Sequence, residues 1–371
     1  MPHSKPSTAR PRDVTGPATI TVAGPSSCCR RGAVQEVGGG VGKAGTSGSA
    51  TSPTVRPASR SSADWDVQVT ASMALTLGSG GMTAPSTPTP RAGDDLTRRG
   101  PGPAADDARL ERLVSATSRY CLDTWLERSL PAGDPQGADE GDVRPLSSVA
   151  LALAVALRCG ALAPGVSPER AVQGALRAVR ACTRGHVSVG GAWGHSWLAP
   201  LSSGQLGLTA LLLGDHLPNA DRAAVERIVR EEAVLLTELP VRYLRNTAGQ
   251  LITPGDTGAE EESWRARGLS AALALLPRDA HALRWLRWLV LRQVAAYASP
   301  ADVASSTRLH RAPLCAWLGG SNAEPDGSLQ NHGFLPAPNY MRPVHHLVAV
   351  TQQRLAGQPV SPSALNGVED L

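Results

Sequence analysis

From about residue 106 onward, apolar residues recur three or four positions apart, and glycine or proline interrupts the pattern at short intervals. Such spacing indicates α-helices, and the interrupting residues mark where they end. The pattern predicts helices over residues 106–130, 146–159, 168–182, 202–217, 219–239, 259–276, 279–299, 311–318 and 344–355. No alternation of apolar and polar residues with period two persists in the sequence, so we expect an all-α fold.

The spacing of the breaks groups these helices into pairs. Pro218 and Pro277 separate close neighbours, whereas longer loops cover residues 185–200 and 246–258. Helices joined by a short break pack side by side and antiparallel, and a pair repeated every ~40 residues is typical of helical-repeat and toroid architectures. We therefore expect residues 105–371 to form an α/α toroid of antiparallel helical hairpins, incomplete because the hairpins are too few to close the ring.

Residues 1–104 have a different composition. They are rich in Ser, Thr, Pro, Gly and Ala, with linker-like runs at residues 38–40 and 87–90. Such a segment buries too little apolar surface to offset the entropy cost of ordering, so we expect a disordered tail. The first thirty residues lack the apolar stretch of an export signal, and no apolar run has the length of a membrane span. The sequence therefore leaves the localisation open.

Charge and cysteine content limit the partners. The chain carries 36 Lys+Arg and 32 Asp+Glu, but residues 1–100 hold 11 of the basic and 6 of the acidic residues, so the helical region is near neutral. We expect no nucleic-acid partner. No cysteine pair has C-x-x-C spacing and no Gly-rich loop follows a strand, so we expect no metal and no cofactor. Apolar surroundings predict buried free thiols at four positions: Cys121, Cys159, Cys182 and Cys315.

Three loops concentrate polar and aromatic residues at helix ends. In the first, Trp193 and Trp197 flank His195. Two indole rings beside an imidazole can form a flat wall that stacks on a sugar or an apolar ligand. The alternative is that both tryptophans pack the loop against the helix ends.

The second loop leads into three consecutive glutamates, residues 260–262, followed by Trp264. Helix capping and the helix dipole account for one or two acids in a first turn. Three consecutive side chains point in directions about 100° apart on a helix, so we expect at least one of the three glutamates to face inward. An inward carboxylate would meet a substrate hydroxyl, a cation or an arginine.

The third loop, residues 319–343, is long and polar, and such loops are often functional. Asn331, His332 and Tyr340 supply an amide, an imidazole and a phenol, which can neutralise a carboxylate and transfer protons. Asp326 belongs to a Pro-Asp-Gly-Ser sequence typical of a turn. The adjacent pair His345 and His346 cannot share a helix face and is a poor metal pair.

Two stretches resemble a known family. Residues 256–264, Asp-Thr-Gly-Ala-Glu-Glu-Glu-Ser-Trp, are similar to a D-[ST]-x-A-E-E-x-x-W helix of α/α-toroid (six-hairpin) proteins close to the heparinase II/III-like polysaccharide lyases. Residues 322–333, followed by Pro338-Asn-Tyr340, resemble the companion stretch in which an Asn-His pair follows an Asp-Gly turn. The family resembled is usually exported, and its members continue into further hairpins and a β-sandwich domain.

The resemblance implies a cleft for an extended, often acidic polysaccharide or oligosaccharide. It implies that Asn331 neutralises a uronate carboxylate and that His332 or Tyr340 transfers protons. We assign substrate binding to seven loop residues: Trp193, His195, Trp197, Glu261, Glu262, Trp264 and Asp326. Two alternatives stay open: a glycoside hydrolase that sets Glu261 or Glu262 against Asp326, and a non-catalytic helical-repeat binding protein or shortened, inactive relative.

Overall fold

The structure is a computed structural model that describes residues 104–127, 130, 137–310, 312–331, 333, 335–336 and 344–365. The tail predicted for residues 1–104 lies outside these ranges, apart from Ala104, which begins the first helix. In the part of the chain that the structure describes, no helix is both long and apolar enough to span a membrane.

The described residues are mostly helical, as the sequence predicts. The α-helices are α1 (Ala104–Tyr120), α2 (Glu140–Arg158), α3 (Pro168–Gly185), α4 (Ala199–Leu213), α5 (Asn219–Leu236), α6 (Ala259–Leu275), α7 (Ala282–Tyr297), α8 (Pro300–Ala304), α9 (Leu314–Trp317) and α10 (Val344–Leu355). A π-helical turn continues α1 over Cys121–Leu126, and 3-10 turns cover Val187–Val189, Gly214–His216 and Pro362–Leu365.

The largest difference at a helix start is at α2, which begins six residues before the predicted start at residue 146. Asp139 caps this earlier start, because its Oδ1 accepts hydrogen bonds from the backbone N–H groups of Gly141 and Asp142 at 2.8 and 2.9 Å. Pro145 lies inside α2. The sequence prediction began the helix after this proline and so missed the cap.

Two rows of helices build the core. In the first, which we call the inner row, α2 contacts α4, α4 contacts α6, and α6 contacts α10. In the second, α3 packs on α2, α5 on α4 and α6, and α7 on α6. Inner helices have neighbours on several sides, which is why almost every residue of α4 and α6 is buried. The predicted pairs α2–α3, α4–α5 and α6–α7 thus pack as pairs.

Small residues allow the inner helices to approach closely. A Cβ added to Gly207 of α4 would lie 2.6 Å from the Cβ of Ala271 on α6. A Cβ added to Gly174 of α3 would lie 2.6 Å from a methyl group of Leu122. Core positions filled at this density tolerate little added volume. Glycine therefore sets the helix spacing at these two contacts.

Three antiparallel two-residue ladders connect the loops. They pair β1 (Arg245–Asn246) with β4 (Gly320–Ser321), β2 (Arg308–Leu309) with β3 (Ala312–Pro313), and β5 (Gln330–Asn331) with β6 (Leu335–Pro336). These strands are too short to produce a period-two sequence pattern. The β1–β4 pair joins the second and third polar loops beside the start of α6.

The cysteine prediction is confirmed at Cys121 and Cys182, which are buried, and is wrong at Cys159. Cys159 is exposed because it lies at the C-terminal cap of α2, beyond the packed part of the helix. Cys315 is half-buried.

Alkylation of the native protein should separate these thiols. We expect iodoacetamide to modify Cys159 quickly and to leave Cys121 and Cys182 unmodified until the protein unfolds. Burial raises the pKa of Cys121 to about 11 and raises the pKa of Cys182 further, so neither forms the reactive thiolate. Peptide mass spectrometry over a labelling time course measures the rates. Equal labelling of Cys182 and Cys159 in native protein would contradict this packing.

Candidate functional site

The N-terminal parts of the inner helices, with the segment before α4, meet around Trp264. Arg144 comes from α2, Trp197 from the residues just before α4, and His345 from α10. Trp264 itself lies in the second turn of α6 and contacts all three. Ser196 holds the loop before α4 against the first residue of α2, since its hydroxyl donates to Glu140 Oε1 at 2.5 Å. Residues far apart in sequence thereby form one surface.

We call Trp197 and Trp264 together the tryptophan platform. Their ring centroids lie 5.5 Å apart with planes inclined by 33°. Trp197 is 61% exposed, whereas Trp264 is 3% exposed and supports it from below. The guanidinium carbon of Arg144 lies 5.9 Å from the Trp264 ring centroid, and Trp264 Nε1 donates a 2.9 Å hydrogen bond to His345 Nε2. The platform therefore presents an exposed aromatic face backed by a cation.

Trp193 has a different environment from Trp197. Its side chain is fully buried, and its Nε1 donates to the Cys182 carbonyl oxygen at 2.7 Å. Its ring also contacts His186 edge to face at 4.6 Å. Trp193 therefore packs its loop against the helix ends, which was the alternative interpretation of both tryptophans, whereas Trp197 faces solvent.

His195 lies beside an acid pair that the sequence analysis missed. Its backbone N–H donates to Glu232 Oε1 at 2.8 Å, and its Nε2 lies 3.2 Å from Glu231 Oε1. Glu232 Oε1 also meets Nε2 of the fully buried His186 at 3.0 Å. Gly194 permits this approach, because a Cβ there would lie 2.6 Å from His186 Nε2.

A sequence signal for the buried acid existed. Glu232 occupies a position in the apolar face of α5, among Val225, Ile228, Val229 and Leu236. An acid at a core position of an amphipathic helix requires a buried partner.

Glu261 and Glu262 point to arginines. Glu262 is fully buried; its Oε1 accepts from the backbone N–H of Arg242 at 3.0 Å and from Arg265 at 2.6 Å, and its Oε2 accepts from Arg292. Glu261 Oε1 accepts from the Arg242 side chain at 2.6 Å. These ion pairs attach the chain after α5 to the first turn of α6. An inward glutamate was expected to meet a substrate hydroxyl, a cation or an arginine, and the inward Glu262 meets arginines.

Asp326 is exposed, and its Oδ1 accepts a 3.0 Å hydrogen bond from the backbone N–H of Ser328. This bond closes the turn that the sequence predicts. With Glu261 and Glu262 held by arginines, the geometry gives no support to a carboxylate pair with Asp326.

The third loop returns to the start of α6 and is fixed there by Asn322. This fully buried side chain accepts from the backbone N–H groups of Leu244 and Gly258 at 3.0 and 2.9 Å through Oδ1. Its Nδ2 donates to the carbonyl oxygens of Arg242 and Ala295 at 3.0 and 2.8 Å. One amide thus connects the second loop, the third loop and the end of α7.

Asn331 lies further along the same loop and is 7% exposed. The neighbouring Gln330 carbonyl accepts from Thr257 N–H at 3.0 Å, and Gly333 N–H donates to the Gly255 carbonyl at 3.1 Å. These bonds hold Asn331 beside the residues that precede α6. His332 and Tyr340, the other two predicted catalytic residues, lie outside the described residues.

A second cationic feature lies in the other row of helices. A groove of about 380 Å³ is lined by Arg180, Thr183, Arg184, Val189, Asp221, Ala224 and Arg227. Arg180 is paired with Asp221 through two of its nitrogens, at 2.8 and 3.0 Å from Oδ2. We call this the α3–α5 groove.

Among the residues that the structure describes, no three His, Cys, Asp or Glu side chains are grouped so as to hold a metal ion. Comparisons with protein-family models, with curated proteins and with solved structures gave no match.

Proposed function

We propose that this chain is a carbohydrate-active protein that binds an extended acidic glycan at the tryptophan platform. The single observation that carries the proposal is the exposed Trp197 ring, supported by Trp264 and flanked by Arg144. Tryptophan is enriched at binding interfaces, where one part of the ring packs on apolar groups and another meets water. An indole face suits the apolar face of a sugar ring, and a nearby guanidinium suits an acidic substituent.

The arrangement of the helices supports the further proposal of an α/α toroid. The inner row α2, α4, α6 and α10 follows the chain order of the pairs, with the second row packed on it. Residues from the N-terminal parts of α2, α6 and α10, and from the segment just before α4, gather at Trp264. A glycan cleft at the shared end of an inner row of helices is what the family resemblance implies.

The reaction that we propose is elimination by a polysaccharide lyase. Asn331 would neutralise the uronate carboxylate, and His332 or Tyr340 would remove the C5 proton. The C4–O bond then breaks, a C4–C5 double bond forms, and the departing hydroxyl takes up a proton. Asn331 lies next to the loop that precedes α6, the helix that carries Trp264.

A non-catalytic glycan-binding role is the second candidate, because the platform alone accounts for binding. The two candidates differ in product formation. A lyase releases unsaturated uronides with new ultraviolet absorbance from an acidic polysaccharide panel. Purified folded protein that binds a glycan of the panel and produces no absorbance would favour the binding role.

Replacement of Trp197 by alanine tests the platform. We expect about tenfold weaker binding of the best acidic glycan of the panel, equivalent to about 1.4 kcal/mol, because the stacking surface is lost. Isothermal titration calorimetry measures the change. Tyr120→Ala is the matched control, since Tyr120 is also an exposed aromatic and belongs to α1. Equal affinity of wild type and Trp197→Ala, or no glycan binding by wild type, would overturn the proposal.

A further inference from the structure

Arg267 is a buried cation in the middle of α6. It follows Trp264 by three residues on α6, and its side chain is turned into the protein, so that the residue is 4% exposed. Within the described part of the chain, Nε and Nη2 have no hydrogen-bond partner and the guanidinium has no carboxylate counter-ion. Burial lowers its pKa to about 10, so it stays charged at neutral pH. A buried, unpaired charge is costly and calls for an anion.

The neighbouring His345 is also an unpartnered donor. The Trp264 indole N–H can only donate, so the His345 Nε2 that it meets at 2.9 Å must be the acceptor nitrogen. The neutral imidazole then carries its proton on Nδ1, which has no partner among the residues described. Burial, together with the charges of Arg267 and Arg144, lowers the pKa of His345 to about 4 and keeps it neutral.

The described residues around Arg267 leave space for its side chain but do not compensate its positive charge. A Cβ on Gly204 of α4 would lie 2.7 Å from Arg267 Cγ, so glycine there accommodates the arginine stem. Gln352 of α10 donates to the Gly204 carbonyl at 2.9 Å, and its Oε1 is an unpartnered acceptor. An amide oxygen is neutral and does not compensate a guanidinium charge.

The two unpartnered nitrogens of Arg267 determine the shape of the missing group. Nε–H and the nearer Nη2–H lie on one edge of the planar guanidinium and point in the same direction. A planar carboxylate accepts both through its two oxygens in a bidentate pair. A neutral sugar hydroxyl satisfies one donor and leaves the charge unpaired.

We infer that Arg267, with the Nδ1–H of His345, forms a carboxylate-binding subsite next to the tryptophan platform, which an acidic substituent of the glycan reaches by displacing the side chains that cover it. The inference rests on the proposed function, because it assumes a glycan on the platform. It adds a specificity-determining residue: Trp197 and Trp264 bind the sugar face, and Arg267 selects the acid over the neutral sugar. Arg144, over Trp264, adds positive charge at the same end of the inner row.

Paired ligands test this subsite. The probes are oligogalacturonate and the same oligosaccharide with its carboxylates methyl-esterified, titrated calorimetrically into the full-length protein. We expect wild type to bind the acid at least about tenfold more tightly than the ester, the effect of one charge-assisted bidentate pair. Arg267→Gln should reduce this ratio to about one by weakening acid binding while ester affinity is unchanged.

Two further variants separate specificity from platform binding. Trp197→Ala should weaken acid and ester equally and preserve their ratio. Arg227→Gln, in the α3–α5 groove, is the matched arginine control and should leave both affinities unchanged. Arg267→Met is the second test variant in case Arg267→Gln fails to fold. Methionine removes the uncompensated charge at nearly constant side-chain length, so this variant should fold at least as stably as wild type.

The outcomes separate this inference from the proposed function. A wild-type preference that persists in Arg267→Gln and Arg267→Met, or disappears in Arg227→Gln, overturns the subsite while glycan binding stands. Equal wild-type affinity for acid and ester also overturns it. If the protein binds neither probe, and if no glycan of the wider panel is bound or cleaved, the proposed function is overturned and the subsite with it.

Discussion

Replacing Glu262 with glutamine is expected to lower the free energy of unfolding by about 3–5 kcal/mol, the usual effect of removing one member of a buried ion pair. Glu262 and Arg292 are both fully buried, and Arg292 keeps its charge in the variant without a counter-ion. A glutamine also turns an N–H₂ group towards a donor, either Arg265 or Arg292, because only one of its two terminal atoms is an acceptor.

Urea unfolding followed by circular dichroism measures this change. Glu261→Gln is the matched control one residue away: its partner Arg242 is about one-third exposed, so water can replace the lost interaction. We expect that control to cost at most about 1 kcal/mol. Unfolding free energies of Glu262→Gln and wild type that agree within error would show that Glu262 does not hold Arg292 in the folded state.

The same glutamates show which features of the site could be predicted from the sequence and which could not. Helical geometry predicts that one of three consecutive glutamates faces inward, and Glu262 does so. The sequence could not identify its partner, because a hydroxyl, a cation and an arginine were equally compatible with the pattern. Arg242 and Arg292 lie 20 and 30 residues away and reach Glu262 only through the packing of α6 against its neighbours.

The helices were predictable for a local reason. Their apolar periodicity and their breaks lie within each segment, so α3, α5 and α6 begin within a residue of the predicted starts. The π-helical turn after α1 and the short α8 were not predicted, because neither has a distinct apolar periodicity of its own. The arrangement of those helices as a closed or open ring depends on long-range packing, and the toroid stays a prediction.

The sequence analysis assigned individual residues of the candidate site but did not predict that they would lie together. Trp197 and Trp264 were each assigned to substrate binding, yet nothing in the sequence indicated that rings 67 residues apart would stack. Arg144 and Arg267 were not considered, because a single arginine in a helix gives no signal until its neighbours are known. His345 was considered only as half of a metal pair, whereas its contact with Trp264 is its defining interaction.

Asn322 is the residue whose loss should disturb both the fold and the site. Truncation to alanine leaves the buried N–H group of Gly258 and two carbonyls, of Arg242 and Ala295, without the Asn322 side chain, while Leu244 N–H keeps its 3.0 Å bond to the Ser321 carbonyl. Each buried unsatisfied group costs about 1–3 kcal/mol. Even at the low end, the three together amount to about 3 kcal/mol, a large fraction of the stability of an ordinary domain. We expect Asn322→Ala to be mostly unfolded or severely destabilised at 37 °C.

Asn322→Asp and Asn219→Ala make this expectation specific. The aspartate keeps the Oδ1 acceptor for Leu244 and Gly258 but loses both donors and adds a buried charge, so it should also destabilise strongly. Asn219 is an exposed residue at the start of α5, and its truncation should change the free energy of unfolding by less than about 0.5 kcal/mol. Urea unfolding compares the three variants, and agreement of Asn322→Ala with Asn219→Ala would contradict the bonding described for Asn322.

A functional consequence follows, because Gly258 is the N-cap of α6 and Trp264 lies six residues further along that helix. Loss of the Asn322 bond to Gly258 frees the first turn of α6 and, with it, the support beneath Trp197. Asn322→Ala at low temperature, where enough protein stays folded, should therefore bind the glycan more weakly per folded molecule. Glycan affinity corrected for the folded fraction measures this effect, and an unchanged corrected affinity would show that the platform is held by contacts other than those of Asn322.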